Sequence, residues 1–325
     1  KGLEFAHELS MNELAMRPWK TFFDTLVASK AFRDEAWAKE PFVIDAESAA
    51  GGAGPGFIAG AFTMADVEQY APDVPAAYAA QGTRQGDGRG GWYMKRVGAP
   101  PADPAAGARF QDVAQSLPQG TVVLNSAGAY VPPLAAVSLA CLESFMLPVG
   151  LNLYLTAPRM TTSAPPHTDK QDVFVFQTQG RKHWRVFRPP PPANKVGADP
   201  LARGKGPDEL SFDEMGPPIL DLVLCPGQAL YVPAGFPHTT DTVGGVAGES
   251  SDPSVHLTVG VDTHIWSLNF AALRHIALQR RGEKTTFRFD GADRDINALP
   301  QAIHALLQEP LPLGFRSAPL LQPPA

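Results

Sequence analysis

The residues best suited to chemistry lie in Pro165-Pro166-His167-Thr168-Asp169-Lys170-Gln171-Asp172 and, far downstream, in Pro226-Gly227-Gln228-Ala229-Leu230-Tyr231-Val232-Pro233-Ala234-Gly235-Phe236-Pro237-His238. His167 and Asp169 are two positions apart. On a strand, positions i and i+2 share a face, so this pair at a strand start would bring an imidazole nitrogen and a carboxylate oxygen to one ion. The second run reads as turn, strand, turn, and then offers His238 as a third ligand. Two imidazoles and a carboxylate on one side of a metal leave coordination positions open. That donor set belongs to non-haem Fe(II) oxygenases, whose open positions take a bidentate co-substrate and O2. An isolated His-x-Asp arises often by chance, and without a metal it would be a solvated strand end. The downstream PGxxLYxPxGxxH run is what makes the pairing specific.

Such ligands need a β framework. Strand-like runs follow one another at 151–156, 172–177, 183–187, 219–224, 229–232 and 255–261, separated by turn residues. That pattern predicts a sandwich or barrel, and strands this short and numerous suggest a double-sheet jelly roll. Upstream, 11–44 reads as helical, with Leu14, Trp19, Phe22, Phe23, Leu26 and Val27 recurring at helical spacing, then Phe32 and Trp37. Pro41 ends the pattern before a short strand, Phe42-Val43-Ile44. Thr63-Met64-Ala65-Asp66 could open another helix, and Trp92-Tyr93-Met94 reads as a strand inside the Gly-rich stretch 81–107. Thr121-Val122-Val123-Leu124 is a β-branched run. Pro132-Pro133 then precedes Leu134, Val137, Cys141, Leu142 and Phe145, which are expected to share a helical face. Helical spacing returns at 265–280 and 296–308, before a Pro-rich tail at 310–325. The expected organisation is a mostly β core at 121–262, a helical and mixed N-terminal part at 1–120 packed on it, and a short helical C-terminal region at 263–325.

Composition bounds the alternatives. The 325 residues are 44% hydrophobic and 18% charged, a globular balance. The net charge of −6 argues against a nucleic-acid-coating protein and is compatible with a cationic partner. No apolar run is long enough to span a membrane as a helix. Cys141 and Cys225 stand apart from any CxxC spacing, which fits a reducing, intracellular compartment and gives no zinc ribbon. The chain begins with Lys1 and has no signal-peptide core, so it reads as a trimmed or processed product, which leaves a removed targeting segment open.

With those residues in view, the sequence resembles the JmjC/cupin-type 2-oxoglutarate oxygenases, and within them the ribosomal oxygenases. The segments that carry the resemblance are FRDEAWAKEPFVI (32–44), TVVLNSAGAYVPPL (121–134), LNLYLTAP (151–158), PPHTDKQDVFVFQTQGRKHWRVF (165–187), PGQALYVPAGFPH (226–238) and SVHLTVGV (254–261), in the family's order. The resemblance implies a double-stranded β-helix, with Fe(II) held by His167, Asp169 and His238 and 2-oxoglutarate as co-substrate. It also implies a cation for the far carboxylate of 2-oxoglutarate, which would be costly to bury unpaired. Lys182 matches that position. Strand alternation puts Lys182, Trp184 and Val186 on one face and His183, Arg185 and Phe187 on the other, so Lys182 is the inward candidate and Arg181 the outward one. Asn152, Tyr154 and Ser254 match residues that line the co-substrate pocket. His256 shares a face with Ser254 and reads as a packed histidine, and His183, His264, His275 and His304 read as structural.

The implied reaction is a C–H hydroxylation coupled to decarboxylation of 2-oxoglutarate. The expected substrate is a residue of a ribosomal or other basic protein. A small-molecule hydroxylase is the alternative, with lysine demethylation or a metal-free binding cupin below it. The loops at 81–107, 158–165 and 188–216 are expected to set the substrate. Ribosomal oxygenases continue into a helical dimerisation region and a winged helix. Residues 263–325 have room for a few helices, which could form part of a homodimer element, and not for a winged helix.

Overall fold

The computed structural model describes residues 2–44, 56–70, 93–97, 110–169, 171–189, 210–243 and 251–263. The chain divides into two units, Lys1–Asp262 and Thr263–Ala325. All described residues except Thr263 lie in the first. The C-terminal helices and Pro-rich tail expected from the sequence fall outside the described residues, as do most of the 81–107 and 188–216 loops.

Eleven strands are formed among the described residues: β1 (Phe42–Ile44), β2 (Tyr93–Val97), β3 (Thr121–Asn125), β4 (Val149–Thr156), β5 (Ala164–His167), β6 (Asp172–Gln179), β7 (Lys182–Val186), β8 (Leu220–Leu224), β9 (Ala229–Val232), β10 (His238–Asp241) and β11 (Ser254–Val261). They make a larger sheet, ordered β1-β9-β6-β11-β4-β3-β2, and a smaller one, ordered β5-β10-β7-β8. Among the described residues every strand pairing within them is antiparallel. From β4 to β11 the chain alternates between sheets, except that β7 and β8 are neighbours in the smaller one. This is the double-stranded β-helix, and the jelly-roll expectation holds. β1 and β2 come from the N-terminal part and extend the two edges of the larger sheet.

The two strands that periodicity did not reveal are β5 and β10. β5 reads Ala-Pro-Pro-His and lies at the edge of the smaller sheet. Proline is tolerated there because no ladder donor is needed on the open side. β10 reads His-Thr-Thr-Asp and is buried throughout despite being polar. At the β6–β7 turn, Gly180 has φ +63, and a Cβ there would lie 2.3 Å from the Pro253 carbonyl oxygen. Only glycine fits that close approach.

The alternation along the larger sheet sorts two chemistries. Leu151, Leu153 and Leu155 of β4 and Val255, Leu257 and Val259 of β11 are buried. They alternate with Asn152, Tyr154, Thr156 and Ser254, His256, Thr258, which pair across the two strands. Phe174 and Phe176 of β6 meet an aromatic layer supplied by α1 (Gly2–Ala28) and the helix Pro132–Phe145. Phe22 contacts Phe176, and Phe23 contacts Phe174, Phe176 and Phe145, in edge geometry at 5.5–6.0 Å. Each fully buried phenylalanine contributes about 1.5–3 kcal/mol of transfer free energy. Trp37 follows the short π-helical turn Phe32–Ala36 and stacks on both Phe145 and Tyr231. The N-terminal segment therefore caps the outer face of the larger sheet.

Two expected core positions are corrected. Leu14 is 56% exposed and Leu142 is 42% exposed. In the helix Pro132–Phe145 the buried stripe is Leu134, Val137, Cys141 and Phe145; Leu142 is one residue past Cys141 and rotates off that face. Both cysteines are free. The helix expected near Thr63 is α2 (Met64–Tyr70), whose start is capped by Asp66 accepting from the Thr63 N–H and hydroxyl at 2.7 Å.

Candidate metal centre

β10 runs between β5 and β7, and His238 stands directly opposite His167. This register brings the ligand atoms of His167, Asp169 and His238 within 4.8 Å of one another, the only such group of three among the described residues. The local geometry differs from the sequence expectation. His167 is the last residue of β5, and Asp169 lies beyond the strand, in the connection to β6. The two therefore converge from a strand end and a loop, not from one face of a strand. Asp169 reaches His167 Nε2 at 3.8 Å and His238 Nε2 at 3.5 Å, and the two imidazole centroids are 4.3 Å apart.

The tautomers follow from the backbone. His167 Nδ1 is 2.7 Å from the Pro165 carbonyl oxygen, and His238 Nδ1 is 3.0 Å from that of Phe236. A carbonyl only accepts, so each Nδ1 carries the proton and donates. Each Nε2 then keeps its lone pair and faces the carboxylate. This is how metal-binding histidines are held: the distal nitrogen is anchored and the proximal one is left free. His238 is buried, whereas His167 and Asp169 are partly exposed, which places the cluster at a mouth of the barrel.

Deeper inside lies Lys182, 1% exposed, whose Nζ donates to Thr156 Oγ1 at 2.8 Å. Burial lowers its pKa from the ordinary 10.5 to about 7, against the opposing pull of Asp241. Trp184, two residues along β7, stacks on His238 at 5.6 Å and meets His256 edge-on at 5.7 Å. His256 lies parallel to Tyr154 at 4.8 Å. Burial, with the charge of Lys182 adding to it, pushes the His256 pKa well down, so this imidazole is neutral. Ser254 Oγ accepts from Gln177 Nε2 at 2.9 Å, and Asn152 Oδ1 accepts from the Ser126 N–H at 3.0 Å. All four co-substrate candidates thus line the inward face, although the Asn152 carbonyl oxygen is used to brace Ser126.

Gln177 and Asn125, which the sequence does not single out, join Trp184 and His256 in the interior. Among the described residues, Trp184 Nε1, His256 Nδ1, Gln177 Oε1 and Asn125 Nδ2 are buried with no hydrogen-bond partner. Orphaned polar atoms are costly in a dry interior, and a buried ammonium without a carboxylate on it costs more. The orphaned donors Trp184 Nε1 and Asn125 Nδ2, with the Lys182 ammonium, suit a bound anion with several acceptor oxygens; Gln177 Oε1 is itself an acceptor. On the outer side of the smaller sheet, His183 bridges Asp241 at 2.9 Å and Asp221 at 2.6 Å, and Arg185 also reaches Asp241. That network ties β8, β7 and β10 together and gives His183 the structural place expected of it.

Residues 132–267 match the JmjC domain family. The chain is similar to ribosomal oxygenase 1 of Homo sapiens, 34% identical over 174 residues, which cover 53% of this chain and 25% of that protein. It is also similar to the bifunctional lysine-specific demethylase and histidyl-hydroxylase NO66 of Aedes aegypti, 38% identical over 132 residues, covering 41% of this chain and 19% of that protein. The chain thus spans about a quarter or less of the length of these relatives. Among solved structures, the ribosomal oxygenase YcfD from Escherichia coli is similar at 16% identity with a TM-score of 0.45, over 88% of this chain and 67% of that one. JmjC oxygenases use Fe(II) and 2-oxoglutarate, and the matched stretch carries a donor set that fits the first and a buried lysine that fits the second. No helix among the described residues is long and apolar enough to cross a membrane.

Proposed function

We propose that this chain is an Fe(II)- and 2-oxoglutarate-dependent oxygenase that hydroxylates a C–H bond of a protein residue. The observation that carries the proposal is the convergence of His167, Asp169 and His238 at the barrel mouth with Lys182 buried behind them. When bound, the ferrous ion and 2-oxoglutarate supply the oxidation of C–H to C–OH by O2, with 2-oxoglutarate leaving as succinate and CO2. The chain's own residues do the rest. His167 and His238 present Nε2 lone pairs because their Nδ1 protons are held by Pro165 and Phe236. Asp169 supplies negative charge between them. Lys182 holds the far carboxylate of 2-oxoglutarate, and Thr156, Tyr154, Ser254 and Asn152 orient it from β4 and β11. Trp184 and His256 wall the pocket and exclude water. The protein substrate is supported by the relatives named for ribosomal oxygenation and histidyl hydroxylation. Lysine demethylation, in the name of the second relative, needs the same C–H chemistry on an N-methyl group and ranks below hydroxylation.

The test is succinate release on adding Fe(II), ascorbate and 2-oxoglutarate, followed by mass spectrometry of extract proteins and metabolites with and without the enzyme. A protein peptide gaining one oxygen supports the proposal, and a modified metabolite instead would transfer it to a small-molecule hydroxylase. Full turnover by a His167→Ala protein would refute the ligand assignment.

A further inference from the structure

Asp172 opens β6 three residues after Asp169 and is fully buried. Both of its oxygens accept. One receives the Tyr231 hydroxyl and the other the Ala234 N–H at 3.0 Å. Acceptance at both oxygens is the pattern of an ionised carboxylate. The Tyr231 oxygen in turn accepts the Ala38 N–H at 2.8 Å. Burial, with the charge of Asp172 and the hydrogen bond to it adding, raises the Tyr231 pKa well above its ordinary value, so the phenol remains a donor. Alongside this, the Gly235 N–H donates to the Asp169 carbonyl oxygen at 2.8 Å. Gly235 has φ +81, a left-handed conformation that suits glycine.

These contacts meet at one place. The turn after β9, which delivers His238, is fastened at Ala234 to Asp172 and at the next residue to Asp169. Through Tyr231 the same carboxylate reaches Ala38, at the end of the N-terminal aromatic cap. We infer that Asp172 is a positioning residue for the metal centre: it holds the two ligand-bearing loops in register, and the N-terminal segment completes the clamp. The inference rests on the metal reading above and extends it to residues that touch no metal. Charge-assisted hydrogen bonds to a buried carboxylate are the strong kind, and they fix loops that the short β5 and β10 ladder leaves free at their ends.

Asp172→Asn separates this from simple folding. The amide has one oxygen and one NH2, so it cannot accept from both partners: turned one way it sets a donor against the Ala234 N–H, and turned the other it takes the acceptor from the Tyr231 hydroxyl. The probe is Co(II) added to metal-free protein, read by its visible absorption and by competition with a chelator at a temperature well below unfolding. The expected result is a Co(II) dissociation constant raised at least ~10-fold, with an altered absorption band, the size seen when residues behind metal ligands are changed. Tyr231→Phe, which keeps the ring packing and removes the hydroxyl, should move both readouts in the same direction by less, and it decides the matter if Asp172→Asn does not fold. Variants that bind Co(II) as the unmodified protein does, while melting earlier, would overturn the inference. Unmodified protein that binds no Co(II) would instead sink the metal reading itself, and with it the role of the clamp.

Discussion

The two faces of the larger sheet are built from the same strands and do opposite things. On the outer face, leucines, valines and phenylalanines meet Phe22, Phe23, Phe145 and Trp37 in a layer with every ring in contact with another. On the inner face stand Asn152, Tyr154, Thr156, Ser254, His256 and Gln177, and Thr156 accepts from a lysine that burial has pushed toward neutrality. One face lowers the free energy of the fold. The other raises it and leaves Asn125 Nδ2, Gln177 Oε1 and His256 Nδ1 without a hydrogen-bond partner. A site of this kind calls for a second hydrophobic layer outside the barrel, because the usual core between the sheets is partly given up to polar side chains. The apolar cluster that remains between the sheets gathers Val173, Val175, Val186, Leu224, Leu230, Val232 and Phe236 around Trp184.

Three changes would sharpen or break that contrast. The largest effect is expected on the outer face. Phe23→Ala should cost about 3–5 kcal/mol in chemical denaturation, since a fully buried ring is removed from a packed layer. Co(II) affinity measured in the cold should hardly change; an equal loss of both would mean the layers are not separable. Next comes Lys182→Met on the inner face. It should weaken 2-oxoglutarate binding by about 2–5 kcal/mol, as removal of a buried partner to a charge does, while the ligand-free protein becomes more stable by roughly 1–4 kcal/mol at pH 6. Calorimetry and denaturation together test this trade, and loss of stability in the variant would contradict it.

The smallest effect is protonic. Lys182 titrates near 7 in the folded chain and near 10.5 when unfolded. Between those values the unfolded state holds more protons, so this group's contribution to stability rises with pH across that window and is flat below it. The Lys182→Met protein should lack that rise. Binding the 2-oxoglutarate carboxylate restores the ammonium, so at pH 8 about one proton should be taken up per ligand bound. Titration calorimetry in two buffers of different ionisation enthalpy reads the number directly, and no uptake would mean that Lys182 does not meet the carboxylate.

Much of this was legible before any coordinates. Strong β-branched and apolar runs announced β3, β4, β6, β8, β9 and β11, because half of each strand faces a dry layer. The strands carrying His167 and His238 were the ones that periodicity missed. β5 holds two prolines and β10 is polar, so neither looks like a strand until its neighbours supply the hydrogen bonds. The site residues were found by their spacing and by resemblance, not by secondary structure. Asp172 and Tyr231 carry no sign of being a pair, because a buried carboxylate on a phenol leaves no mark in a sequence when its partners are 59 residues apart.

The sequence by itself determined the residue types that suit a metal and an anion, the alternation that turns Lys182 inward, and the apolar stripes that build the two layers, since these depend on local periodicity and side-chain chemistry. Tertiary structure alone decided that Asp169 approaches from a loop, that His238 lands opposite His167, that Leu14 and Leu142 turn outward, and that Asp172 fastens the ligand loops to the N-terminal cap. Those outcomes are set by strand register and by the packing of distant segments, and no short-range pattern encodes either.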